Sequence, residues 1–187
     1  MSDVAGLSAE LLAPWYQVAE QADAFFERVL QSSRGQMCCA PGCDGCCQHD
    51  LTVMTVEALA LEAGLVGLDA AARAAVGRGP GCALLAHGRC LVYAHRPLIC
   101  RTHGLPIRQP AAAEEQAAFG RALAAGVSAC PLNFRTGAPD PDSVLDATRL
   151  TAALTVADAL VRQALQLPQP GRHRISDVAR GRARVLR

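Results

Sequence analysis

Five cysteines lie within the ten residues from Cys38 to Cys47, in a loop that also contains Pro41, Gly42 and Gly45. Their C-x3-C and C-x2-C spacings are typical of loops that fold back and direct two thiolates at one ion. Four more cysteines follow, at positions 82, 90, 100 and 130. The segments that carry them have few apolar side chains, so the sequence predicts a metal-binding protein whose cysteine-rich region is stabilised by metal–sulfur bonds.

Composition and cysteine count indicate an intracellular environment. The first residues, Met-Ser-Asp-Val-Ala-Gly, lack the basic and apolar regions of a secretory signal. No apolar run of about 18 residues is present, because Asp158 interrupts the best candidate, 150–161. Nine cysteines are an odd number, which does not suit a closed disulfide framework, although an extracellular disulfide protein is the alternative. We therefore predict a cytoplasmic protein with no membrane partner.

The apolar residues predict the fold class. They make up 51% of the chain, are rich in Ala and Leu, and include few aromatics, which favours helices over a β-sandwich or barrel. Helical spacing and capping signals predict helices over 8–33, 55–64, 69–76, 111–125 and 140–167, with Ser8 as the cap of the first. We therefore expect a mainly α protein, a small helical domain around an irregular cysteine-rich metal-binding centre.

The predicted elements divide the chain into four parts: an N-terminal helix at 1–34, a cysteine-cluster metal-binding domain at 35–135, a C-terminal helix packing on that domain at 136–167, and a basic tail at 168–187. The tail holds six arginines against the single acid Asp177. No aromatic residues are interleaved with these arginines, so we interpret the tail as a solvated, partly disordered end and expect no nucleic-acid partner.

Two blocks of motifs resemble a known family. The first is Cys39-x3-Cys43-x2-Cys46-Cys47, and the second runs from Cys82 to Arg101 and contains Cys90-x2-Tyr-x2-Arg-Pro-x2-Cys100-Arg. Both resemble the signature of the YkgJ-type cysteine-cluster proteins, the CxxCxxCC zinc- or iron-chelating domain. The likeness covers about 39–131 and includes Cys130 as the last cysteine. Cys38 is an extra residue and the first spacing is one residue longer than usual, so either Cys38 or Cys39 could be the first ligand.

The resemblance implies a metal and relates the chain to flagellin lysine methylase-like proteins. The metal ligands that it implies are Cys39, Cys43, Cys46, Cys47, Cys82, Cys90, Cys100 and Cys130. Eight cysteines suffice for two four-ligand sites, or for one site and a redox pair. Neighbouring side chains point apart in extended backbone, so Cys46 and Cys47 enter different sites more easily than one, or one of them binds and the other is free.

The scattered thiolates favour an iron–sulfur cluster, [4Fe–4S], over zinc, although spacing alone suits either metal. Arg96 and Arg101 flank Cys100 and are predicted to lie beside this cofactor and offset its negative charge. Several histidines near cysteines could bind metal or donate to sulfur, with His103 the best candidate among His49, His87, His95 and His103.

Two classes of function follow from these observations. The first is redox or methylase-like chemistry at an iron–sulfur site, with a redox or protein partner that the sequence does not identify. The alternative is a non-catalytic zinc- or iron-chelating module that serves as a structural, chaperone or sensor unit. No dinucleotide-binding, P-loop or hydrolase motif points to another chemistry.

Overall fold

The computed structural model describes residues 9–109, 120–124, 126–167, 169–182 and 185. Its helices are α1 (Ala13–Ser32), α2 (Thr55–Val66), α3 (Ala70–Ala75), α4 (Leu98–Thr102), α5 (Ala147–Ala164) and α6 (Ile175–Ala179). Its strands are β1 (Thr52–Met54), β2 (Leu85–Ala86), β3 (Arg89–Cys90), β4 (Ile107–Arg108), β5 (Arg121–Ala124), β6 (Val127–Ala129), β7 (Leu145–Asp146) and β8 (Arg172–Arg174).

The predicted fold class was wrong, because the protein is a mixed α/β structure with 47% helix and 12% strand. The strands are two to four residues long and form three sheets, ordered β1-β8, β2-β3 and β5-β6-β4-β7. In the last sheet β4 pairs with β6 antiparallel and with β7 parallel. Strands this short do not display a period-two pattern in sequence, and this is why apolar composition pointed to helices alone.

Four of the predicted helices are confirmed, with shifted ends. α1 begins at Ala13, with Pro14 in its first turn, and Ser8 lies outside the described residues. Asp69 caps α3 as expected, accepting a hydrogen bond from the backbone N–H of Ala72 at 2.7 Å. The last long helix begins later than predicted, at Ala147, where the Asp146 carboxylate accepts from the N–H groups of the first turn.

The prediction of a helix at 111–125 was wrong for residues 121–124. Residues 111–119 and 125 lie outside the described residues, and 121–124 form strand β5. β5 pairs antiparallel with β6, and the two strands carry the chain towards Cys130. The alanines in this segment favoured a helix by propensity, but the sheet contacts determine its conformation.

The tail is not the solvated end that its charge suggested. β8 pairs antiparallel with β1, with Thr52 opposite Arg174 and Met54 opposite Arg172. α6 follows directly and buries Ile175 and Val178. The alternation of arginines with these apolar residues lets the guanidinium groups face outwards while the segment packs on the protein.

Three apolar clusters support the structure. The largest lies between α1, α2 and α5 and contains Trp15, Leu59 and Val161. The second packs beneath the later cysteines and contains Val53, Leu61, Leu84, Val92 and Ile175, with Cys82, Cys90 and Cys100 at its edge. The third contains Val29, Met37, Leu105 and Phe134, with Cys39 packed against it. The early Cys39 and the later cysteines 82, 90 and 100 therefore lie at the margins of two separate clusters.

Among the described residues, none of the helices combines the length and the hydrophobicity that a bilayer crossing requires.

Candidate metal centre

The eight cysteines that match the family motifs form two groups. We define each group by the thiols whose charges affect the pKa of a common neighbour. Group A contains Cys39, Cys43, Cys46 and Cys130, and group B contains Cys47, Cys82, Cys90 and Cys100. Each group combines thiols of the first motif with at least one cysteine from much later in the chain. The 3-10 turn Gly45–Gln48 carries two adjacent cysteines, Cys46 and Cys47, which we call the doublet and which belong to different groups.

Electrostatic effects on Cys39 define group A. Burial raises the pKa of Cys39, and the charges of Cys43, Cys130 and Cys46 raise it further, against a hydrogen bond from Asn133 that lowers it. Because such effects decrease with distance, these thiols lie in the same region of the protein. Cys130 is separated by about ninety residues from Cys39, so the fold rather than local spacing brings these thiols together.

Group B is more deeply buried. Burial raises the pKa of the Cys100 thiol strongly, with further contributions first from Cys82 and Cys90 and then from Cys46. The pKa values of Cys82 and Cys90 are also raised, each mainly by burial. Removing protons from this set is costly unless a cation compensates the charge, which is the condition that metal binding satisfies.

The doublet connects the two groups. A hydrogen bond between the Cys46 and Cys47 thiols is the largest single influence on the pKa of each. It raises the pKa of Cys46 and lowers that of Cys47. Cys47 is further influenced by Cys100, Cys82 and Cys90, all members of group B. Cys46 contributes to the pKa of Cys39 in group A and also to those of Cys82 and Cys100. Cys46 thus lies between the groups, and we assign it to group A as the fourth thiol.

A buried amide positions the thiol of Cys39. Asn133 is fully buried; its Nδ2 donates to Cys39 Sγ at 3.3 Å and to the Gly104 carbonyl at 2.7 Å. Its Oδ1 accepts from the backbone N–H of Cys38 at 2.8 Å. Asn133 therefore joins the first cysteine motif to the segment that follows Cys130. By contrast, Cys38 is exposed and its thiol donates to the Leu132 carbonyl at 3.4 Å, which favours Cys39 as the first ligand.

Two glycines permit close backbone approach around the thiols. At Gly104, where φ is +110°, a Cβ atom would lie 2.6 Å from Cys39 Sγ. At Gly81, where φ is +81°, it would lie 2.5 Å from the Cys47 carbonyl oxygen. The same carbonyl accepts from the backbone N–H of Cys82 at 2.7 Å, which fixes Cys47 and Cys82 side by side. Neither position can carry a larger residue without moving a cysteine.

A buried carboxylate supports the helix that presents Cys100. Glu57, 3% exposed, accepts from the backbone N–H of Met54 at 2.9 Å and from that of Leu98 at 2.8 Å. It therefore caps both α2 and α4. Burial raises its pKa, and the two backbone donors act in the opposite direction.

The two predicted cofactor-binding arginines both form an ion pair with Asp23, at 3.8 Å for Arg96, but differ in their other contacts. Arg96 lies near the sulfurs, because its charge lowers the pKa values of Cys46 and Cys90. Arg101 is 5% exposed, forms an ion pair with Asp23, and donates to the carbonyls of Ala94 and Arg96. These contacts hold α1 against the 93–101 segment, so Arg101 fixes the backbone that carries Cys100, and Arg96 is the cation closer to the thiols.

The histidines have separate surroundings. His95 Nδ1 lies 3.2 Å from the Tyr16 hydroxyl, and burial followed by the charge of Arg101 lowers its pKa. Burial, followed by the charge of His49, lowers the pKa of His103. His87 lies at the tip of the β2–β3 hairpin with a φ of +51°.

The sulfur atoms of the two groups are ligands that suit a soft metal, although they are not arranged as a complete metal site. Within the described part of the chain, no three Cys, His, Asp or Glu side chains have the arrangement of a complete ion site. Protonated thiols do not attract one another, and ligation removes those protons as it draws the sulfurs together. Group A and group B each offer four sulfurs in partly buried surroundings, a composition that suits zinc or iron.

Sequence reasoning missed several residues that build the site. Asp23, Glu57 and Asn133 are polar side chains that hold backbone segments, and Gly104 makes room for Cys39. A partial signal was available for Glu57, which interrupts an otherwise apolar helix face, and for Asn133, three residues after Cys130. Asp23 and Gly104 have no local signal, because their partners are distant in sequence.

The cysteine motifs also relate the chain to a known family model. Residues 38–118 match the CxxCxxCC model, which is described as a putative zinc- or iron-chelating domain. This confirms the resemblance seen in the cysteine motifs. No curated protein and no solved structure matched the chain. Cys130 lies beyond the matched segment, so its place in group A depends on its proximity to Cys39.

Proposed function

We propose that this protein binds two metal centres, one held by the four thiolates of group A and the other by those of group B. The observation that supports this proposal is that Cys39 is influenced by Cys43 and Cys130, whereas Cys47 is influenced by Cys82, Cys90 and Cys100. Cys46 influences members of both groups, and its assignment to group A is part of the proposal. Each late cysteine then has a partner in the first motif, and the extra cysteine, Cys38, needs no metal role.

We further propose that the centres are [4Fe–4S] clusters and that the protein transfers electrons. When bound, such a cluster supplies one-electron redox chemistry. Two pockets around the described residues have no cysteine in their linings. Outer-sphere electron transfer needs no substrate at the metal and is compatible with such surroundings. Methylase-like chemistry would need a substrate surface beside the sulfurs and has less support from these surroundings.

Arg96 has a defined part in this proposal. Four thiolates on a cluster or on zinc leave a net charge of about −2 at each centre. Arg96 is 19% exposed and lies where its charge favours the thiolate forms of Cys46 and Cys90. A cation in this place stabilises the more negative state of the centre, and its guanidinium also stacks on Tyr93, at 3.5 Å from the ring centroid.

The second candidate is a non-catalytic zinc-chelating module. The number of thiols in each group favours it, because structural zinc sites have four protein ligands and no open position. The two candidates share their ligands and differ in the metal and in colour, since zinc is d¹⁰ and gives no sulfur-to-metal absorption in the visible range.

The deciding experiment is purification without oxygen, followed by visible spectroscopy and analysis of iron, acid-labile sulfide and zinc. We expect brown protein with iron and sulfide in equal amounts, which bleaches on reduction with dithionite or on exposure to air. Colourless protein with stoichiometric zinc would reject the iron–sulfur proposal in favour of the zinc module. Protein that binds neither metal would contradict both.

Single substitutions test the division into two centres. Cys43→Ser should remove the metal of group A, Cys100→Ser should remove that of group B, and each should leave the other centre loaded. Cys38→Ser is the matched control, because this thiol belongs to neither group, and it should retain all metal. Loss of all metal in either ligand variant, with the fold intact by circular dichroism, would indicate one shared site instead.

A further inference from the structure

A second concave site lies next to group B and contains no cysteine. This pocket of ≈ 560 Å³ lies between the first cysteine motif, α3 and the β2–β3 hairpin, and we call it the Arg78 pocket. Its volume falls within the range of about 300–1,000 Å³ typical of small-molecule sites. Its lining includes the ionisable side chains of Asp44, Arg78 and His87 and the polar side chain of Gln48. Three alanines of α3 also line it, and we call these the floor: Ala71, Ala74 and Ala75.

The wall side chains are available for a ligand. Throughout the described ranges, the Asp44 carboxylate, the Arg78 guanidinium and the His87 ring form no hydrogen bond or ion pair within the protein. The guanidinium of Arg180 packs over Gly77, the residue before Arg78, and adds positive charge at that end of the pocket. The pocket therefore has a cationic end at Arg78 and an anionic group at Asp44.

The hairpin at the rim also departs from ordinary turn chemistry. β2 and β3 are joined by the two residues His87 and Gly88, with φ angles of +51° and +71°. Two-residue turns with positive φ at both positions favour Asn-Gly or Gly-Gly, in which the first side chain is small. Here an imidazole occupies the first position and projects from the rim of the pocket.

The floor restricts the ligand further. Ala71 lies about one helical turn before the adjacent Ala74 and Ala75, and together they form a small apolar surface that a short aliphatic chain can cover. A guanidinium pairs best with a carboxylate through two parallel hydrogen bonds, and a carboxylate accepts from an ammonium group. The pocket thus offers three complementary contacts to one small molecule.

From these features we propose that the Arg78 pocket binds a small amino acid with an aliphatic side chain. Its carboxylate binds to Arg78, its ammonium group to Asp44, and its side chain lies on the alanine floor. This site is separate from the thiols and does not require the metal to be iron or zinc. It therefore stands or fails independently of the electron-transfer proposal.

The test is isothermal titration calorimetry of the metal-loaded full chain with L-valine. Two analogues each lack one polar group: 3-methylbutanoate has no ammonium and 2-methylpropylamine has no carboxylate. We expect saturable binding of L-valine and at least about tenfold weaker binding of each analogue, since a charged hydrogen-bonding group is lost. An absence of saturable heat with L-valine, or equal binding of either analogue, would overturn the proposal.

Substitutions locate the binding on the protein. Arg78→Ala should weaken L-valine binding by at least about tenfold, whereas Arg149→Ala, on the exposed face of α5, should not change it. Asp44→Asn should weaken L-valine binding but leave that of 3-methylbutanoate unchanged. L-valine binding that survives both pocket substitutions would place the ligand elsewhere and refute the assignment.

Discussion

Replacing Gly104 with alanine should remove the metal of group A while leaving that of group B. In the structure the added Cβ would lie 2.6 Å from Cys39 Sγ, whereas nonbonded carbon atoms approach to about 3.5–4.0 Å. The sulfur must therefore move by about 1 Å, which exceeds the tolerance of roughly 0.5 Å for a functional constellation. Cys39 would also lose its hydrogen-bonding geometry with Asn133, whose Nδ2 bonds to both Cys39 Sγ and the Gly104 carbonyl.

The substitution has a second effect, on the backbone, which a control variant separates from the first. A φ of +110° is strained for alanine, at a cost of about 1–3 kcal/mol. Gly35 also has a positive φ, +82°, but a Cβ there would meet no atom within 4 Å. Gly35→Ala should therefore reduce stability by a similar amount and keep both metals.

Urea unfolding and elemental analysis of the purified proteins measure the two effects. We expect both variants to lose stability, and only Gly104→Ala to lose the metal of one centre. Full metal content in folded Gly104→Ala would mean that Cys39 is not a ligand in the position that the structure gives it. Equal metal loss in both glycine variants would show that backbone strain, and not the contact with sulfur, is responsible.

Three further outcomes are expected. Asn133→Ala should lower the free energy of unfolding by about 2–4 kcal/mol in denaturant titrations, because it leaves buried backbone groups unpaired, and a change under 1 kcal/mol would contradict its role. By the same measurement, Arg101→Ala should lower the free energy of unfolding by about 2–3 kcal/mol. Arg96→Ala should lower it by no more than about 1 kcal/mol and should instead shift the reduction potential of the metal-loaded protein. A larger loss of stability in Arg96→Ala than in Arg101→Ala would refute the roles assigned to the two arginines. Burial lowers the pKa of His173 below its ordinary 6.5, so the unfolded state binds more protons below that pH and stability should fall on acidification. His173→Gln should weaken this pH dependence, and an unchanged profile would exclude His173 as its source.

The helices were largely predictable because their signals are local. The Asp69 cap and the apolar spacing of α1 depend on residues within a few positions of one another. The start of α5 was misplaced because Asp140 and Asp146 both resemble caps, and only the latter accepts from the helix. The short strands β4 and β7 pair across almost forty residues and leave no comparable pattern.

The sequence predicted which cysteines are candidate ligands but not how they divide into two groups. Cysteine spacing and the family resemblance identified the eight thiols, and the geometry of adjacent side chains suggested that Cys46 and Cys47 diverge. Which late cysteine accompanies which early one depends on tertiary contacts such as those of Asn133 and Glu57. The pairing of β8 with β1 was missed for a similar reason, because arginine content alone suggested a solvated tail.

The adjacency of Cys46 and Cys47 has a consequence for how the protein would fill with metal. One peptide bond joins a thiol-bearing residue of group A to one of group B, so ordering either residue limits the conformations open to the other. The first ion to bind would pay most of the entropy of organising the 3-10 turn, and the second would bind to a loop already organised. Filling should then be cooperative: at limiting metal, empty and fully loaded molecules should predominate over half-loaded ones, and the protein would respond to metal supply over a narrow range of concentration.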